Sequence, residues 1–499
     1  MRTIRKLLIA NRGEIAVRVI RACRVLGISP VAVYCLGEEN AMHVRLADEA
    51  YCVGAPAGYL DAISFVKIAK ECCAQAIHPG YGFLSEQAQF AEACRNNGIL
   101  FIGPSANTLR LAGHKTNART LMSKAGIPVI PGSSGILSTL AEARKAASKI
   151  GYPVILKSAF GGGGKGMKIA NNAKDLAELF LIAQQEALRS FGKSGMFLER
   201  YLTDSQHVEV QILCDKAGHA IHLGERNCSI QRRHQKLLEE SPSPRLSPDT
   251  RKKLFDYALA AARLFRYENA GTVEFLLDAK NKIYFLEVNA RIQVEHPVTE
   301  MRTGIDLVVE QIRIAAGEEL AIKQEDISFR GHAMECRIYA EDPFEGFLPS
   351  TGTIDFLSLP AGHGIRVDTA LANGTEITPT YDPLIAKIIA HGKDREEAIA
   401  LMRSALREFL ISPLRTTIPI FHSILTDKTF LAGRPTTRLL EQIQSKAEPA
   451  SPSIISAALA LGAMLKKQND TMAHAIPTIT QDSPPPLPSN TPLWVAWKL

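Results

Sequence analysis

The chain has 499 residues, of which 46% are hydrophobic, and a formal net charge of +7 at pH 7. This length predicts about three or four domains, and the composition is typical of a globular protein with large cores. No apolar run approaches the roughly 18–20 residues of a membrane span, and the basic residues are not clustered as in a nucleic-acid binder. The mild positive charge suits small anionic substrates.

The first 113 residues alternate short apolar strands with helices. Strand character is strongest at residues 6–10, 31–35, 74–78 and 99–102, and residues 12–26 predict a helix. This alternation is typical of a doubly wound parallel sheet, a Rossmann-like unit of the α/β class.

Two short segments of this unit bear on location and ligands. The basic start is followed only by the apolar residues 7–10, which is too short for the hydrophobic region of a signal peptide. We therefore expect a first strand in a cytoplasmic protein. Residues 78–86 follow a strand end, where such sheets bind ligands, although their glycines are explained equally well by a simple turn.

A glycine-rich hairpin marks the second predicted unit, residues 131–203. Strand 154–157 leads into the loop 161–166, and residues 167–170 form the return strand. Such a loop can bring backbone N–H groups close to phosphates or close as a lid, and Lys157 can reach the same phosphates. The spacing is not that of a Walker A loop. A loop that binds nothing is the alternative.

A β-hairpin is the most informative feature of the largest predicted unit, residues 204–446. Residues 272–277 are rich in β-formers, and residues 283–289 alternate like a second strand after a turn-like break. A hairpin centred between positions 280 and 281 sets Glu274 opposite Glu287, with Cβ atoms about 5 Å apart.

The two facing carboxylates predict a cation. They repel each other unless one is protonated or a cation lies between them. Oxygen ligands from Glu274, Glu287 and Asn289 suit Mg²⁺, which also binds substrate phosphates. The alternative interpretation is a solvated polar face on an edge hairpin.

Two further polar segments adjoin this face. Glu287, Asn289 and Arg291 point to one face, because side chains of a strand alternate with period two, and Gln293 and Glu295 join them if the extended backbone continues. Residues 229–236 are rich in basic and amide side chains, and they form either a surface strand or an anion-binding wall opposite the metal. Lys and His beside metal-neutralised phosphates are typical of phosphoryl transfer.

The cysteines and the C-terminal tail complete the sequence-based expectations. Nine cysteines without CxxC spacing predict reduced, buried thiols, with no metal site or disulfide framework. Those in apolar stretches are Cys23, Cys35, Cys52, Cys214 and Cys336. After residue 447 we expect a linker, an apolar helix over 454–467 and a proline-rich end that holds both tryptophans, Trp494 and Trp497. Packing on the chain itself and docking to a partner both remain open for this end.

Several long motifs resemble the biotin carboxylase family of ATP-grasp enzymes. They are residues 9–15, 78–86, 229–236, 289–300 and 335–342, together with the glycine hairpin and the Glu–Glu–Asn face. The match covers about residues 4–446. It implies a mixed α/β and α+β ATP-grasp architecture. Its parts are a Rossmann-like domain (1–113), an ATP-grasp part with a glycine-rich lid (114–203, the lid from about 131), an ATP-grasp and C-terminal mixed-sheet part (204–446) and the tail (447–499).

The resemblance also implies a reaction. ATP and bicarbonate give carboxyphosphate and ADP, and biotin on a separate carrier protein is then carboxylated at its ureido nitrogen. Mg²⁺ or Mn²⁺, two ions in the family's pattern, a carboxyltransferase subunit and a homodimer are implied as well. The acyl acceptor, whether acetyl-CoA, propionyl-CoA, pyruvate or another acid, belongs to a different subunit. Another ATP-grasp ligase that forms an acyl phosphate, or a nucleotide-binding scaffold without turnover, is the alternative.

The site residues follow from the matched motifs. The resemblance implies ATP contacts from Lys115, Lys157, Gly163, Gly164, Met167, Glu199, Arg200, Tyr201, Leu202, His207, Gln231, His234, Glu274 and Glu287. It implies metal ligation by Glu274, Glu287 and Asn289, and bicarbonate binding by Lys236, Arg291, Gln293 and the backbone of Val294. Glu295 is the implied base, and Arg337 is implied to stabilise the biotin enolate.

Overall fold

The computed structural model describes residues 2–158, 167–192 and 194–444, without the side chains of Lys115, Ser190 and Phe191. Residues 1–445 form one compact unit, and residues 446–499 form a second unit that lies outside the described residues. The predicted contacts of Gly163 and Gly164 and the predicted helix over 454–467 also lie outside them.

The N-terminal part is built on a parallel sheet, as the alternation of strands and helices predicted. Its strands are β1 (Lys6–Ile9), β2 (Ser29–Tyr34), β3 (Glu49–Cys52), β4 (Ala76–His78) and β5 (Leu100–Phe101). Its helices are α1 (Gly13–Val25), α2 (Met42–Leu46), α3 (Ala62–Glu71), α4 (Ala88–Asn96) and α5 (Ala106–Gly113). The strand order is β3-β2-β1-β4-β5, and the apolar residues of β1 are buried because helices cover both faces of such a sheet.

The segment 78–86 folds over the carboxyl end of β1. The side-chain amide of Asn11 donates hydrogen bonds to the carbonyls of Pro79 and Tyr81, each at 2.8 Å. Gly80 has φ of +61°, and a Cβ there would lie 2.8 Å from the Asn11 amide nitrogen. Only glycine combines this conformation with so close an approach, so the motif glycine is required by the turn.

The middle part has a small antiparallel sheet flanked by helices. Its elements are α6 (Lys115–Lys124), α7 (Leu140–Ile150), β6 (Val154–Ser158), β7 (Lys168–Ala170), α8 (Ala173–Phe191) and β8 (Met196–Arg200). The strand order is β7-β6-β8. Strands β6 and β7, on either side of the glycine-rich segment, pair antiparallel as predicted.

The remaining part is dominated by an eight-stranded sheet of order β13-β12-β9-β10-β11-β14-β21-β19 within the described residues. The strands of this part of the chain, eight of which form that sheet, are β9 (Gln206–Cys214), β10 (Ala220–Arg232), β11 (Gln235–Ser241), β12 (Asn269–Leu277), β13 (Ile283–Asn289), β14 (His332–Tyr339), β15 (Glu341–Asp342), β16 (Leu348–Pro349), β17 (Gly352–Thr353), β18 (Phe356–Ser358), β19 (Ile365–Thr369), β20 (Glu376–Ile377), β21 (Leu384–Gly392) and β22 (Leu410–Ser412). The helices are α9 (Pro248–Leu264), α10 (His296–Thr303), α11 (Leu307–Ala316), α12 (Arg395–Glu408), α13 (Ile418–Ile424), α14 (Lys428–Leu431) and α15 (Leu439–Gln444). In the described part of the chain, every helix is too short or too polar to cross a membrane.

The predicted hairpin of β12 and β13 is confirmed, with one difference near its turn. Glu274 lies opposite Glu287, as expected. Closer to the turn the register is one residue different, because Phe275 lies opposite Phe285. The extra residue, Leu286, is a β-bulge, and this bulge brings the two glutamates into register.

The expected place of Arg291 on the strand face is wrong, and the extended backbone does not continue to Gln293 and Glu295. The strand ends at Asn289, and helix α10 begins at His296 with Pro297 in its first turn. Proline is favoured in a first helical turn, and the chain must bend before it to enter the helix. Arg291, Gln293 and Glu295 therefore reach the site from a non-repetitive segment.

The expected burial of the thiols is confirmed for four of the five cysteines that the sequence pattern singled out. All cysteines are free, and Cys23, Cys35, Cys214 and Cys336 are buried. Cys52 is exposed, contrary to expectation. It ends β3, which is the edge strand of the parallel sheet, so one side of the strand has no neighbour to cover it.

The buried His78 predicts an acid-sensitive contribution to folding. Its Nδ1 accepts a hydrogen bond from the Gly80 amide, and burial lowers its pKa to about 3. The folded-state pKa lies below the unfolded value near 6.5, so stability is lost as pH falls below about 6.5. We expect His78 to account for about 2 kcal/mol less stability at pH 5 than at pH 7.

Urea unfolding of wild type and His78→Asn at both pH values measures this contribution. Asparagine keeps an acceptor near Nδ1 but does not titrate, so the variant should lose less stability on acidification. His363→Asn, at an exposed position, is the control and should keep the wild-type pH dependence. Equal pH dependence in all three proteins would contradict the prediction.

Candidate functional site

Charged side chains from neighbouring strands meet on one face of the large sheet. Across four strands, Glu287 lies opposite Glu274, Glu274 opposite Glu209, and Glu209 opposite Arg226. Residues in register across a sheet project to the same face. Glu274, Glu209 and Arg226 are buried, and buried charges are tolerated only when they are paired.

A second row of charges continues this pattern towards the other edge of the sheet. Glu239 on β11 lies opposite Glu335 on β14. Arg337 on β14 lies opposite Lys387 on β21, which in turn lies opposite Asp368 on β19. All five are buried, so the sheet carries a dry polar face instead of a solvated one.

Lys236 is the central cation of the site. Its ammonium donates to the carboxylates of Glu209 at 2.5 Å, Glu274 at 2.8 Å and Glu295 at 2.7 Å. An ammonium has three donors, so this arrangement uses all of them. Burial opposes the charge, but the three carboxylates hold the pKa of Lys236 well above its usual value.

Glu295 is ionised and shared between two cations. Besides Lys236, it accepts a hydrogen bond at 2.7 Å from Arg337, whose Nε donates to Glu239 at 2.6 Å. Burial acts to raise the pKa of Glu295, but Lys236, Arg337 and Arg226 hold it well below its usual value. The carboxylate can therefore accept a proton once a ligand draws these cations away.

Arg226 holds several side chains of the site in place through hydrogen bonds. Its guanidinium is buried and makes five hydrogen bonds of 2.7–3.2 Å, one for each of its N–H donors. Its acceptors are the side chains of Glu209, Gln211, Thr272, Gln293 and Thr299. The guanidinium thus links three strands to the segment before α10.

The predicted metal ligands lie together, and their donor chemistry fits a hard dication. Asn289 Nδ2 donates to Glu274 Oε1 at 2.8 Å, while Glu287 faces Glu274 across the hairpin. Ligand atoms of His207, Glu209 and Glu274 also lie within 4.8 Å of one another. Carboxylate and amide oxygens are the ligands that Mg²⁺ prefers.

Glu274 is held in place by protein donors on both oxygens. Oε1 also accepts from Lys236 and, at 2.8 Å, from Gln293 Nε2, while Oε2 lies 3.0 Å from His207 Nε2. Burial acts to raise the pKa of Glu274, but Lys236 and His207 keep it well below its usual value. The carboxylate is therefore ionised, as metal ligation requires.

A small cleft adjoins the face that carries Glu274, Glu287 and Asn289. It is lined by Thr116, Arg119, Lys157, Ser158, Phe197, Glu199, Leu286 and Glu287. Three of the predicted nucleotide residues, Lys157, Glu199 and Glu287, thus share one cleft. Lys157 and Arg119 both pair with the buried carboxylate of Glu199.

Several other predicted nucleotide residues lie at or beside strand ends. Glu199 and Arg200 end β8, and Tyr201 and Leu202 follow directly. The Arg200 side chain donates a hydrogen bond to the carbonyl of Ile150. Met167 immediately precedes β7, and the side chain of Lys115 lies outside the described residues.

The basic segment 229–236 is a hairpin that is buried at residues 229–231 and exposed at its turn. Strands β10 and β11 are joined by Arg233 and His234, which have φ of 48° and 68°. Positive φ at both positions is typical of a two-residue hairpin turn. Gln231 is buried, with its Nε2 2.7 Å from His207 Nδ1, whereas His234 is exposed at the tip.

Lys236 is on β11, and the other predicted bicarbonate residues lie in the segment between β13 and α10. Arg291 Nε lies 3.3 Å from Glu86, a residue of segment 78–86. Gln293 joins Arg226 to Glu274, and the carbonyl of Val294 accepts a hydrogen bond. The segment brings its polar groups to the cluster around Lys236.

Sequence reasoning missed Glu209, Arg226, Arg119, Glu239 and Lys387. One signal was present, because β9 places polar side chains at positions 207, 209 and 211, which share a face. Lys387 is a single charged residue in an apolar strand, whereas Arg226 and Glu239 each adjoin another charged residue and Arg119 lies on helix α6. No local pattern shows which partners these residues meet.

Family models cover most of the chain. They are "Biotin carboxylase, N-terminal domain" over residues 3–109, "Carbamoyl-phosphate synthase L chain, ATP binding domain" over residues 114–323 and "Biotin carboxylase C-terminal domain" over residues 335–442.

Relatives and a solved structure agree with these models. Biotin carboxylase 1 of Bacillus subtilis is 52% identical over 442 residues, which cover 88% of this chain and 98% of that protein. The mitochondrial methylcrotonoyl-CoA carboxylase subunit alpha of Mus musculus is 44% identical over 489 residues, which cover 97% of this chain and 68% of that protein.

The solved structure is the biotin carboxylase domain dimer of the Hydrogenobacter thermophilus 2-oxoglutarate carboxylase, in complex with MgADP, ADP and bicarbonate. It superposes with a TM-score of 0.88 at 50% identity, and the match covers 90% of this chain and 100% of that one. The chain therefore belongs to the biotin carboxylase family and has its ATP-grasp architecture.

Proposed function

We propose that the chain uses ATP and bicarbonate to form carboxyphosphate, and then carboxylates biotin carried on a separate protein. ATP-dependent carboxylation of biotin is the activity of its family. The observation that carries the assignment is the ammonium of Lys236, shared by Glu209, Glu274 and Glu295, with Arg337 on the far side of Glu295. This cluster combines anion-binding cations with an ionised base beside the metal face.

In the first step, bicarbonate binds to Lys236, Arg291, Gln293 and the backbone of Val294. Arginine offers a planar fork that matches a planar anion. A bound anion shares the positive charge of Lys236, so the pKa of Glu295 rises towards the range of an effective base. Glu295 then removes the bicarbonate proton, and the bicarbonate oxygen attacks the γ-phosphorus while ADP leaves.

Nucleotide and metal are held next to this anion site. Glu274, Glu287 and Asn289 would hold Mg²⁺ or Mn²⁺, and the family pattern implies two ions. The bound cations would neutralise charge on the phosphates. The remaining contacts to ATP come from Lys115, Lys157, Gly163, Gly164, Met167, the strip 199–202, His207, Gln231 and His234. The glycine-rich loop acts as a lid that keeps water from carboxyphosphate.

In the second step, Arg337 stabilises the enolate form of biotin. The bond between the carboxyl carbon and the phosphate oxygen of carboxyphosphate breaks, and phosphate leaves. The ureido nitrogen of biotin bonds to the carboxyl carbon, and its proton passes to the departing phosphate. Negative charge develops on the ureido oxygen during this step, and a preorganised guanidinium lowers its energy. The two carboxylates that bracket Arg337, Glu239 and Glu295, hold the guanidinium in one orientation.

The assembly around this reaction is part of the proposal. We assign a Rossmann-like domain to residues 1–113, an ATP-grasp part with the lid to 114–203, a second ATP-grasp and C-terminal part to 204–446 and a tail to 447–499. The partners are a biotinylated carrier protein, a carboxyltransferase subunit and a second copy of the chain, in the cytoplasm. The similar Hydrogenobacter domain is a dimer, which supports the homodimer.

Replacing the proposed base tests the reaction. We expect wild-type ADP release, measured with Mg²⁺ and free biotin, to depend on added bicarbonate. Glu295→Gln should reduce the bicarbonate-dependent rate by about 10²–10⁴-fold, because it keeps the size of the side chain but cannot accept the proton. Glu325→Gln, which changes an exposed glutamate far from the cluster, is the matched control and should retain the wild-type rate.

The same assay separates the alternatives. Wild-type turnover that is indifferent to bicarbonate would assign the chain to another ATP-grasp ligase. ATP binding without any turnover, with carrier protein supplied, would point to a scaffold. A fully active Glu295→Gln variant would leave the reaction in place but remove Glu295 as its base.

The metal face makes a separate prediction. Chelation with EDTA should abolish ADP release, and Glu287→Gln should raise the Mg²⁺ concentration needed for half-maximal rate by roughly tenfold, because one anionic ligand is lost. A Mg²⁺ titration at saturating ATP and bicarbonate measures this shift. An unchanged Mg²⁺ requirement in Glu287→Gln would show that this carboxylate does not bind the metal.

A further inference from the structure

Lys387 is a buried cation with no role in the proposed chemistry. Its side chain is completely buried on β21, and its ammonium lies 3.1 Å from Glu14 Oε1 and 3.8 Å from Asp368 Oδ2. Burial disfavours the charge, but Glu14, Glu335 and Asp368 hold the pKa of Lys387 above its usual value. A lysine kept charged in so dry a place must be strongly constrained by its surroundings.

One contact of Lys387 points to the anion site. Its Nζ donates a hydrogen bond at 2.9 Å to the carbonyl oxygen of Val294. Val294 lies between Gln293 and Glu295, in a segment that is neither helix nor strand. The ammonium therefore supplies a fixed hydrogen bond to backbone that regular secondary structure does not hold.

The carboxylates that hold Lys387 come from distant parts of the chain. Glu14 is in the first turn of α1 and also accepts a hydrogen bond from the Tyr81 hydroxyl. Asp368 is on β19, and its two oxygens accept hydrogen bonds from Nε and Nη2 of Arg366 at 2.8 and 2.7 Å. Two motif segments, residues 9–15 and 78–86, thus meet through the hydrogen bond between Tyr81 and Glu14, beside Lys387.

We propose that Lys387 is a positioning residue for the bicarbonate step. Held by Glu14 and Asp368, it fixes the carbonyl of Val294 and with it the backbone that presents Arg291, Gln293 and Glu295. This inference rests on the proposed function, since it assumes that these residues bind and deprotonate bicarbonate. Through Glu14 and Tyr81, the N-terminal part of the fold becomes a support for the anion site.

The test compares the KM for bicarbonate with the KM for ATP. Loss of a positioning residue should change the first value alone, whereas loss of a merely structural residue should change both. The charge-matched double variant Glu14→Gln/Lys387→Met removes the ammonium without leaving Glu14 ionised and unpaired. We expect its KM for bicarbonate to rise roughly tenfold or more, since small displacements of reacting groups have large effects. Its KM for ATP should stay within about twofold of wild type, since no ATP contact is removed.

A second buried ion pair provides the matched control. Arg395 binds both carboxylate oxygens of Glu240, at 2.6 and 3.1 Å, and its other hydrogen bonds go to the carbonyls of Phe430 and Leu431, away from the bicarbonate segment. Glu240→Gln/Arg395→Met should therefore leave the ratio of the two KM values unchanged. Hydrogen exchange of the peptide that spans residues 290–295 should accelerate in the Lys387 variant and not in this control.

Each outcome decides the proposal. Equal changes in both KM values, or an unchanged KM for bicarbonate in the folded Lys387 variant, would overturn it. If the double variant does not fold, Glu14→Met, which leaves Lys387 paired with Asp368, carries the test and should raise the KM for bicarbonate alone by about threefold. Wild-type turnover without bicarbonate dependence would instead refute the proposed function, so the two failures are distinguishable.

Discussion

The site depends on one electrostatic constraint, which is the enclosure of the Lys236 ammonium by three carboxylates. Glu209, Glu274 and Glu295 are buried, and they could not lie so close together without this ammonium, because like charges repel each other. Conversely, the ammonium could not be buried without them. The cluster is therefore kept charged as a unit, and its charges are available when substrates exchange places with them.

The arrangement explains how a low-dielectric site can handle small anions and a metal together. Every carboxylate of the cluster already has a hydrogen-bonded cation, so an incoming anion shares positive charge that is present and oriented. Arg226 and Lys387 do not belong to this exchange. They hold in place the chain segment that carries Glu295, since Arg226 binds Gln293 and Lys387 binds the carbonyl of Val294.

Much of the fold around the site could be predicted from the sequence, where the pattern lies among residues that are neighbours in the chain. The alternation of strands and helices predicted the parallel N-terminal sheet, and the turn-like break with flanking β-formers predicted the Glu274–Glu287 pairing. The same local reasoning was wrong at Arg291, because it placed this residue on a strand that ends at Asn289, before the bend that Pro297 and helix α10 impose. It was also wrong at Cys52, since an apolar stretch does not reveal that its strand lies at a sheet edge.

The sequence by itself determined the hairpin of β12 and β13, the pairing of Glu274 with Glu287 within it and, through its long motifs, the family. Only the tertiary structure decided which polar groups from distant parts of the chain meet. Arg226 meets Gln293, Lys236 meets Glu295, and Lys387 meets Glu14 and the carbonyl of Val294. The physical reason is that hydrogen bonds within a hairpin act between neighbours in sequence. The order of strands in the large sheet is instead set by packing of the whole core, which no local pattern records.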